Sequence, residues 1–391
     1  MHILMLNHNV AWRSTFYRAF YFARELVLRG HDVTLATISD KRWLREEQSS
    51  IEGVRVVKTP DVGVGLGRTG WDPWDSVYRA FRFAKEPFDV VHGFDCRPVV
   101  LGPCLALRGL GRVPWVTDWA DWWGRGGAIS ERKSWALRVG FAPFETFLEE
   151  RFRRFADQVT VTSRALRDRA VSLGIRTDRV HYIPSGANVT TIRVLDRQAC
   201  RREVGLAPDA LVACFVGFVQ YDLELVIRAF AVARGEVPGA KLLLVGPPNR
   251  AAERLVRELG VGSAIVDVGP QPFDRIPLHL GAADVLLLPL SDNLMNRARG
   301  PIKLGDYLAA GRAILANPVG DLVDVFRADD VGTLAPDAPE PYGKALAAML
   351  RDLERCGVQG RNARRVAEEK YAWRHLVPRL EAVYDRARAG F

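Results

Sequence analysis

The chain has 391 residues, 48% hydrophobic and 26% charged, which suits two folded cores of roughly 150–200 residues each and excludes a disordered protein. Its 55 cationic side chains outnumber its 46 acidic ones by nine, but they are spread along the sequence, so a nucleic-acid-binding arm is not indicated. Five cysteines without a CxxC pair read as reduced thiols, and no run approaches the ~20 apolar residues of a membrane span, so disulfide-stapled, secreted and integral membrane classes are excluded and a cytoplasmic protein is expected.

His2–Asn7 reads as a first strand. The loop His8–Ser14 leads to a helix over Thr15–Arg29, whose Phe16, Ala19, Phe20, Ala23, Leu26 and Val27 recur at helical spacing before Gly30 ends it. Further strands are predicted at Asp32–Ile38, Val54–Lys58, Asp89–Gly93, Trp115–Thr117, Gln158–Thr162 and Val180–Ile183, with helices at Arg97–Leu110, Phe144–Ala156 and Ser163–Leu173. The alternation then starts again. Strands are predicted at Ala210–Val216, Lys241–Val245, Ala264–Val268, Val285–Pro289 and Ala313–Ala316. Helices fall near Leu223–Arg234, Ala251–Leu259, Ile276–Ala282, Leu304–Ala310, Pro341–Arg355, Gly360–Lys370 and Trp373–Ala389. The class is α/β, with two Rossmann-like, doubly wound domains over 1–190 and 191–373, joined near Asn188–Arg202 and facing across a cleft.

Gly63-Val-Gly-Leu-Gly67 has the glycine spacing of a dinucleotide fingerprint, but it joins no strand to a helix and reads as a loop. The seven histidines lack ligand spacing, so no metal site is expected. The stretch from Arg299 to Gly311 carries more chemistry. Pro301 suits the first turn of a helix, which sets Lys303 beside the positive helix end where a phosphate would collect backbone N–H groups and an ammonium. Asp306, one turn deeper, is placed to accept from ribose hydroxyls; the alternative is an ordinary capped helix with a solvated lysine.

Gly30-His31-Asp32-Val33, Asp89-Val-Val-His92, Ala156-Asp157-Gln-Val-Thr-Val-Thr-Ser163, Ile183-Pro-Ser-Gly186-Ala-Asn188 and the 301–311 helix, in this order, resemble the landmarks of retaining family 4 glycosyltransferases. The resemblance implies the GT-B fold, a nucleoside-diphosphate sugar as co-substrate bound mainly by the second domain, and no metal or other cofactor. It also implies that the last helix, about 374–391, crosses back to the first domain. The family's E-x7-E signature falls on Ala298 and Asp306, so its second carboxylate is present and its first is absent. Gly217 follows the first strand of the second domain, but the cations usual after it are missing; Lys303, with the Ile302 N–H, and Arg297 or Arg299 are the nearest replacements.

Thr117-Asp118-Trp-Ala-Asp121-Trp122-Trp123 falls where the family usually has a histidine near the reacting sugar. Asp118, Asp121 or His92 would take the acceptor's proton, and Trp119, Trp122 and Trp123 would stack on a sugar ring or line an acceptor tunnel. The alternative is a helix-capping aspartate with core tryptophans. Downstream, Arg132 to Phe144 mixes cations with large apolar groups, as in a helix lying on the inner membrane face or one packed on its own domain. The expected activity is sugar transfer from the nucleotide to an acceptor hydroxyl on a small molecule, glycan or lipid-linked sugar. The rivals are a sugar-nucleotide 2-epimerase and a catalytically silent homologue that binds a partner.

Overall fold

Buried runs of Val, Ile and Leu form two parallel sheets, one in each of two units of the chain. In the computed structural model, which describes residues 1–41, 44–63, 69–110, 113–132, 134–217 and 220–391, the first unit comprises Met1–Ser185, Ala298–Gly300 and Trp373–Phe391. The second comprises Gly186–Arg297 and Pro301–Ala372.

The first sheet contains β1 (His2–Val10), β2 (Asp32–Ile38), β3 (Glu47–Ile51), β4 (Val54–Thr59), β5 (Val90–Phe94), β6 (Trp115–Trp119), β7 (Gln158–Val161) and β8 (Val180–Tyr182). Their order is β3-β4-β2-β1-β5-β6-β7-β8, parallel throughout except for β3 against β4. Along β1, Ile3 and Met5 enter one hydrophobic cluster while Leu4 and Leu6 enter another, as strand alternation requires when helices cover both faces. The first helix, Thr15–Leu28, and the last, Trp373–Ala389, share one of those clusters. There the Trp373 ring lies 5.6 Å from Tyr21 and 4.9 Å from Phe22.

The second sheet contains β9 (Leu211–Val216), β10 (Ala240–Val245), β11 (Ile265–Asp267), β12 (Val285–Leu288), β13 (Ala313–Ala316) and β14 (Gly332–Leu334). Its order, β11-β10-β9-β12-β13-β14, is the doubly wound arrangement, all parallel. In both sheets the chain winds one way from its first strand and then returns to that strand's other side. A crevice for ligand therefore opens at the carboxyl ends of β1 and β5 and again at those of β9 and β12.

Several elements differ from expectation. β1 runs three residues further, to Val10, and β6 extends through Trp119. β3, β14 and the helices Pro73–Phe83, Arg197–Glu203, Leu294–Ala298 and Leu322–Asp329 are additional. The stretch read as Pro341–Arg355 and Gly360–Lys370 is divided instead at Asp352, into Pro339–Arg351 and Leu353–Val366. Asp352 accepts from the Arg355 N–H at 3.0 Å and so starts the second helix. All five cysteines are buried and free. Most of Gly63–Gly67, together with Lys133 and Phe218, lies outside the described residues.

Candidate functional site

In the second unit β9 and β12 pair only through Ala213–Val285 and Cys214–Leu286, so the peptide groups beyond need other partners. Tyr307 supplies them: its hydroxyl accepts from the Val216 N–H at 3.2 Å and donates to the Leu287 carbonyl at 3.3 Å. Tyr307 belongs to the helix Ile302–Ala310, entered at Pro301 and closed by Gly311 in the left-handed conformation, φ +65°. The hydroxyl thus ties this helix to the carboxyl end of β9. In the first turn, Lys303 Nζ donates to the Val216 carbonyl at 3.2 Å and stands 5.2 Å from the Phe215 ring centre.

Gly217 comes next along the chain. A Cβ there would lie 2.8 Å from the Phe215 ring and 3.0 Å from Lys303 Nζ, so glycine is what leaves the ammonium room. Gly246, at the end of β10, is held even more tightly: a Cβ would lie 2.1 Å from the Gly217 carbonyl oxygen. A cavity of about 300 Å³ opens beside the two glycines, lined also by Asn249, Glu253 and Asp267.

Asp306 sits one turn beyond Lys303. Its side chain is half-buried, and among the described residues its carboxylate has no hydrogen-bond or ion-pair partner. Burial accordingly pushes the carboxyl up to about 7. The other two cations expected at the diphosphate are engaged elsewhere. Arg297 makes two bonds to Asp292, at 2.6 and 2.8 Å. Arg299 belongs to the first unit, with its Nε 3.4 Å from Asp121. Ala298, at the position of the family's first carboxylate, is buried beside Trp119, Val159 and Leu166.

The first unit assembles its own cluster at the ends of β1, β5 and β6. His8, on β1, is buried between the Phe94 carbonyl (3.4 Å from Nδ1) and the Asn9 amide (3.0 Å from Nε2). Burial pulls its pKa down to about 4, so the ring is neutral at physiological pH. Asp95, just past β5, is held at φ +75°, and Trp12 and Ser14, just past β1, also have positive φ. Such strain in non-glycine residues gathers at functional sites. Asp95 accepts from Arg153 at 3.0 Å and from the Trp123 indole. Arg97 lies 4.5 Å from both the Trp71 and Trp123 ring centres and pairs with Glu145. The buried Glu149 fixes the tryptophan loop by accepting from the Trp123 N–H (2.9 Å), the Gly124 N–H (2.6 Å) and the Trp119 indole (3.0 Å).

Three of the residues expected to meet the acceptor are inside the fold. Asp118 lies on β6, fully buried, and its carboxylate is taken by Arg18 at 2.9 Å and the Thr160 hydroxyl at 2.7 Å. Burial alone would raise its pKa, but the Arg18 charge and hydrogen bonds hold it below the ordinary value. His92 is also fully buried, 2.8 Å from the Tyr384 hydroxyl, with its pKa pulled down to about 4 by burial. Trp119 is core. Neither a general base nor a stacking ring can work from these positions. Asp121, Trp122 and Trp123 remain partly exposed. Burial raises the Asp121 pKa, partly offset by Arg299.

Sequence reading missed His8, Asp95, Arg97 and Glu149. For the first two a signal existed, since a first strand and the strand across the switch point must end at the crevice. Nothing local marks Glu149.

Comparison with known proteins follows the two units. Residues 18–186 match the glycosyl transferase 4-like domain family and residues 210–352 match the glycosyl transferases group 1 family. A D-inositol 3-phosphate glycosyltransferase of Nocardia farcinica is 29% identical over 299 residues, 71% of this chain and 64% of that protein. The Acidothermus cellulolyticus counterpart is 29% identical over 364 residues, 84% of this chain and 76% of that one. The chain thus spans less than two thirds of the first of these relatives. Among solved structures, a sucrose-phosphate synthase from Thermosynechococcus elongatus superposes over 100% of both chains, with a TM-score of 0.77 and 17% identity. Anabaena HepE, in complex with UDP and glucose, gives 0.74 and 15% over 98% of this chain and 99% of that one. At these identities the likeness concerns the fold, which is GT-B.

Proposed function

The chain belongs to the family 4 glycosyltransferases, and from that premise we propose that it moves a sugar from a nucleoside diphosphate to an acceptor hydroxyl, with retention and without a metal ion. The observation that carries this reading is Asp306: a half-buried carboxyl raised to about 7, without a partner among the described residues, one turn from Lys303. Two vicinal ribose hydroxyls would supply the missing donors. The bond from sugar C1 to the diphosphate breaks, and the charge that grows on the leaving oxygens meets the Lys303 ammonium and the first-turn N–H groups of its helix. The acceptor oxygen bonds to C1 on the same face and loses its proton, for which Asp121 is the partly exposed carboxylate of the tryptophan loop. Relatives named as inositol phosphate glycosyltransferases and a fold neighbour solved with UDP-glucose support a uridine diphosphate sugar as the first donor to test and a polyol or sugar hydroxyl as acceptor.

The test is a thermal-shift series with nucleoside diphosphates, followed by transfer assays with and without chelator and product NMR for the anomeric configuration. A nucleotide at 100 times its Kd should stabilise by about 2.7 kcal/mol. If no nucleotide raises the transition, the donor assignment fails. Ala298 favours one other reading, a homologue that binds nucleotide without transferring sugar. Saturable binding with no product from any acceptor would support it.

Two predictions test the donor residues. Lys303→Ala should weaken UDP at least tenfold while leaving uridine nearly unchanged, because a charge-assisted hydrogen bond of about 1.5–3 kcal/mol is lost from a phosphate oxygen. Equal losses in titration calorimetry would assign Lys303 to the fold. Asp306 should also impose a pH dependence. Ionised, its two oxygens accept from both ribose hydroxyls, whereas the protonated carboxyl keeps one acceptor oxygen, so uridine affinity should rise as pH passes from 6 to 8. Asp306→Asn should abolish that rise, and a parent profile flat across this range would detach Asp306 from the ribose.

A further inference from the structure

Beyond the tryptophan loop the chain turns outward. Residues 135–141 run as a helical segment, with Leu137–Phe141 in π geometry, into the helix Ala142–Phe152. The later helix has a packed side: Glu145, Thr146, Leu148 and Glu149 are buried. The earlier turn touches its own domain at Phe141, whose ring lies 4.5 Å from Trp71, while Ser134, Trp135, Ala136, Arg138, Val139 and Gly140 are all exposed. Packing on its own domain therefore accounts for 142–152 and for Phe141, and not for the outward side chains of Trp135, Arg138 and Val139. Trp135 is 69% exposed, Val139 56%, Phe144 47% and Phe147 53%. One exposed apolar side chain needs no explanation; four within thirteen residues do.

Among the described side chains, the unpaired charge around them is positive. Arg125, Arg138, Arg151 and Arg154 are exposed, whereas Glu145 and Glu149 are buried and Glu150 is paired with Arg169 at 2.6 Å. A groove of about 470 Å³, lined by Arg125, Ile129, Trp135, Arg138 and Val139, continues this face toward the tryptophan loop.

We propose that this face docks on an anionic lipid surface. Aromatic rings would enter the headgroup layer while the arginines reach phosphates on long apolar stems. No helix among the described residues is long and apolar enough to cross a membrane, so the attachment is peripheral. A second copy of the chain fits less well, since a symmetric contact would set arginines against arginines.

Co-sedimentation of the full chain with vesicles tests the proposal. Vesicles of phosphatidylcholine with 40% phosphatidylglycerol should bind at least tenfold more protein than phosphatidylcholine alone. Trp135→Ser/Phe147→Ser should lose most of that binding, and Arg138→Gln/Arg151→Gln should erase the preference for the anionic lipid. UDP-induced stabilisation and circular dichroism should match the parent in both variants, which separates lost docking from lost folding. The proposal is overturned if the parent stays in the supernatant, or if neither variant changes binding. It is equally overturned if sedimentation equilibrium without lipid shows a dimer that Trp135→Ser dissociates.

Discussion

Asp118→Asn should destabilise the protein by about 3–5 kcal/mol, the usual cost of breaking a buried ion pair from one side. Arg18 and Asp118 are both about 1% exposed, and Arg18 also donates to the carbonyls of Ile183 and Pro184. The amide would keep the shape, but it would remove the charge that makes a buried guanidinium tolerable. Urea unfolding should show the loss, and Arg18→Met/Asp118→Leu should recover much of it by removing both charges together. The pH dependence follows from the lowered pKa of Asp118. Its contribution is present above the ordinary carboxylate range and is lost as pH falls through the lowered value. Asp306 has the opposite sign: stability declines as pH rises from about 4 through about 7, because the folded state resists ionising it. A parent-like unfolding midpoint for Asp118→Asn would mean that the ion pair contributes nothing net, and Asp118 could then be considered again for the reaction.

Most of the fold can be read in the sequence where burial is continuous. β2, β13, the helix Ile276–Ala282 and the final helix stand where apolar periodicity places them. β3 was missed because Glu-Gln-Ser-Ser-Ile is polar and largely exposed on an edge, and its identity depends on pairing with β4 across a turn at Glu52 and Gly53, both with positive φ. The helix Pro73–Phe83 was legible in principle, since Asp72 caps it just ahead of a proline. The site divides in the same way. Lys303 and Asp306 follow from one local rule, a proline-opened helix start, and they stand in one helix beside Gly217. The strand predicted at Trp115–Thr117 stops short of Asp118 and Trp119 because an aspartate inside a buried strand makes sense only with its partner, and that partner, Arg18, is 100 residues away. His92 has the same history with Tyr384, 292 residues on. Local pattern cannot tell a reactive group from a buried one whose partner is distant.

Asp121→Asn should reduce sugar transfer by ~10²–10⁴, the range for a lost general base, while UDP binding changes less than about twofold. The structure sharpens this expectation by elimination. Of the three groups that could take the acceptor's proton, Asp118 and His92 are fully buried, and Asp121 is partly exposed with one long contact to Arg299. Its raised pKa also makes it a better base than a solvated carboxylate, because proton affinity rises with burial. Transfer should therefore increase with pH through the Asp121 value, and this acid limb should disappear in Asp121→Asn. Arg299→Met supplies the control. If Asp121 served only to hold Arg299, both variants would lose activity alike and the pH limb would persist in each. If Asp121 is the base, removing Arg299 leaves the carboxylate in place and raises its pKa further, so the acid limb moves to higher pH while transfer continues. Parent-rate transfer by a folded Asp121→Asn would make the tryptophan loop structural, with Glu149 as its clamp and no carboxylate in the chemistry.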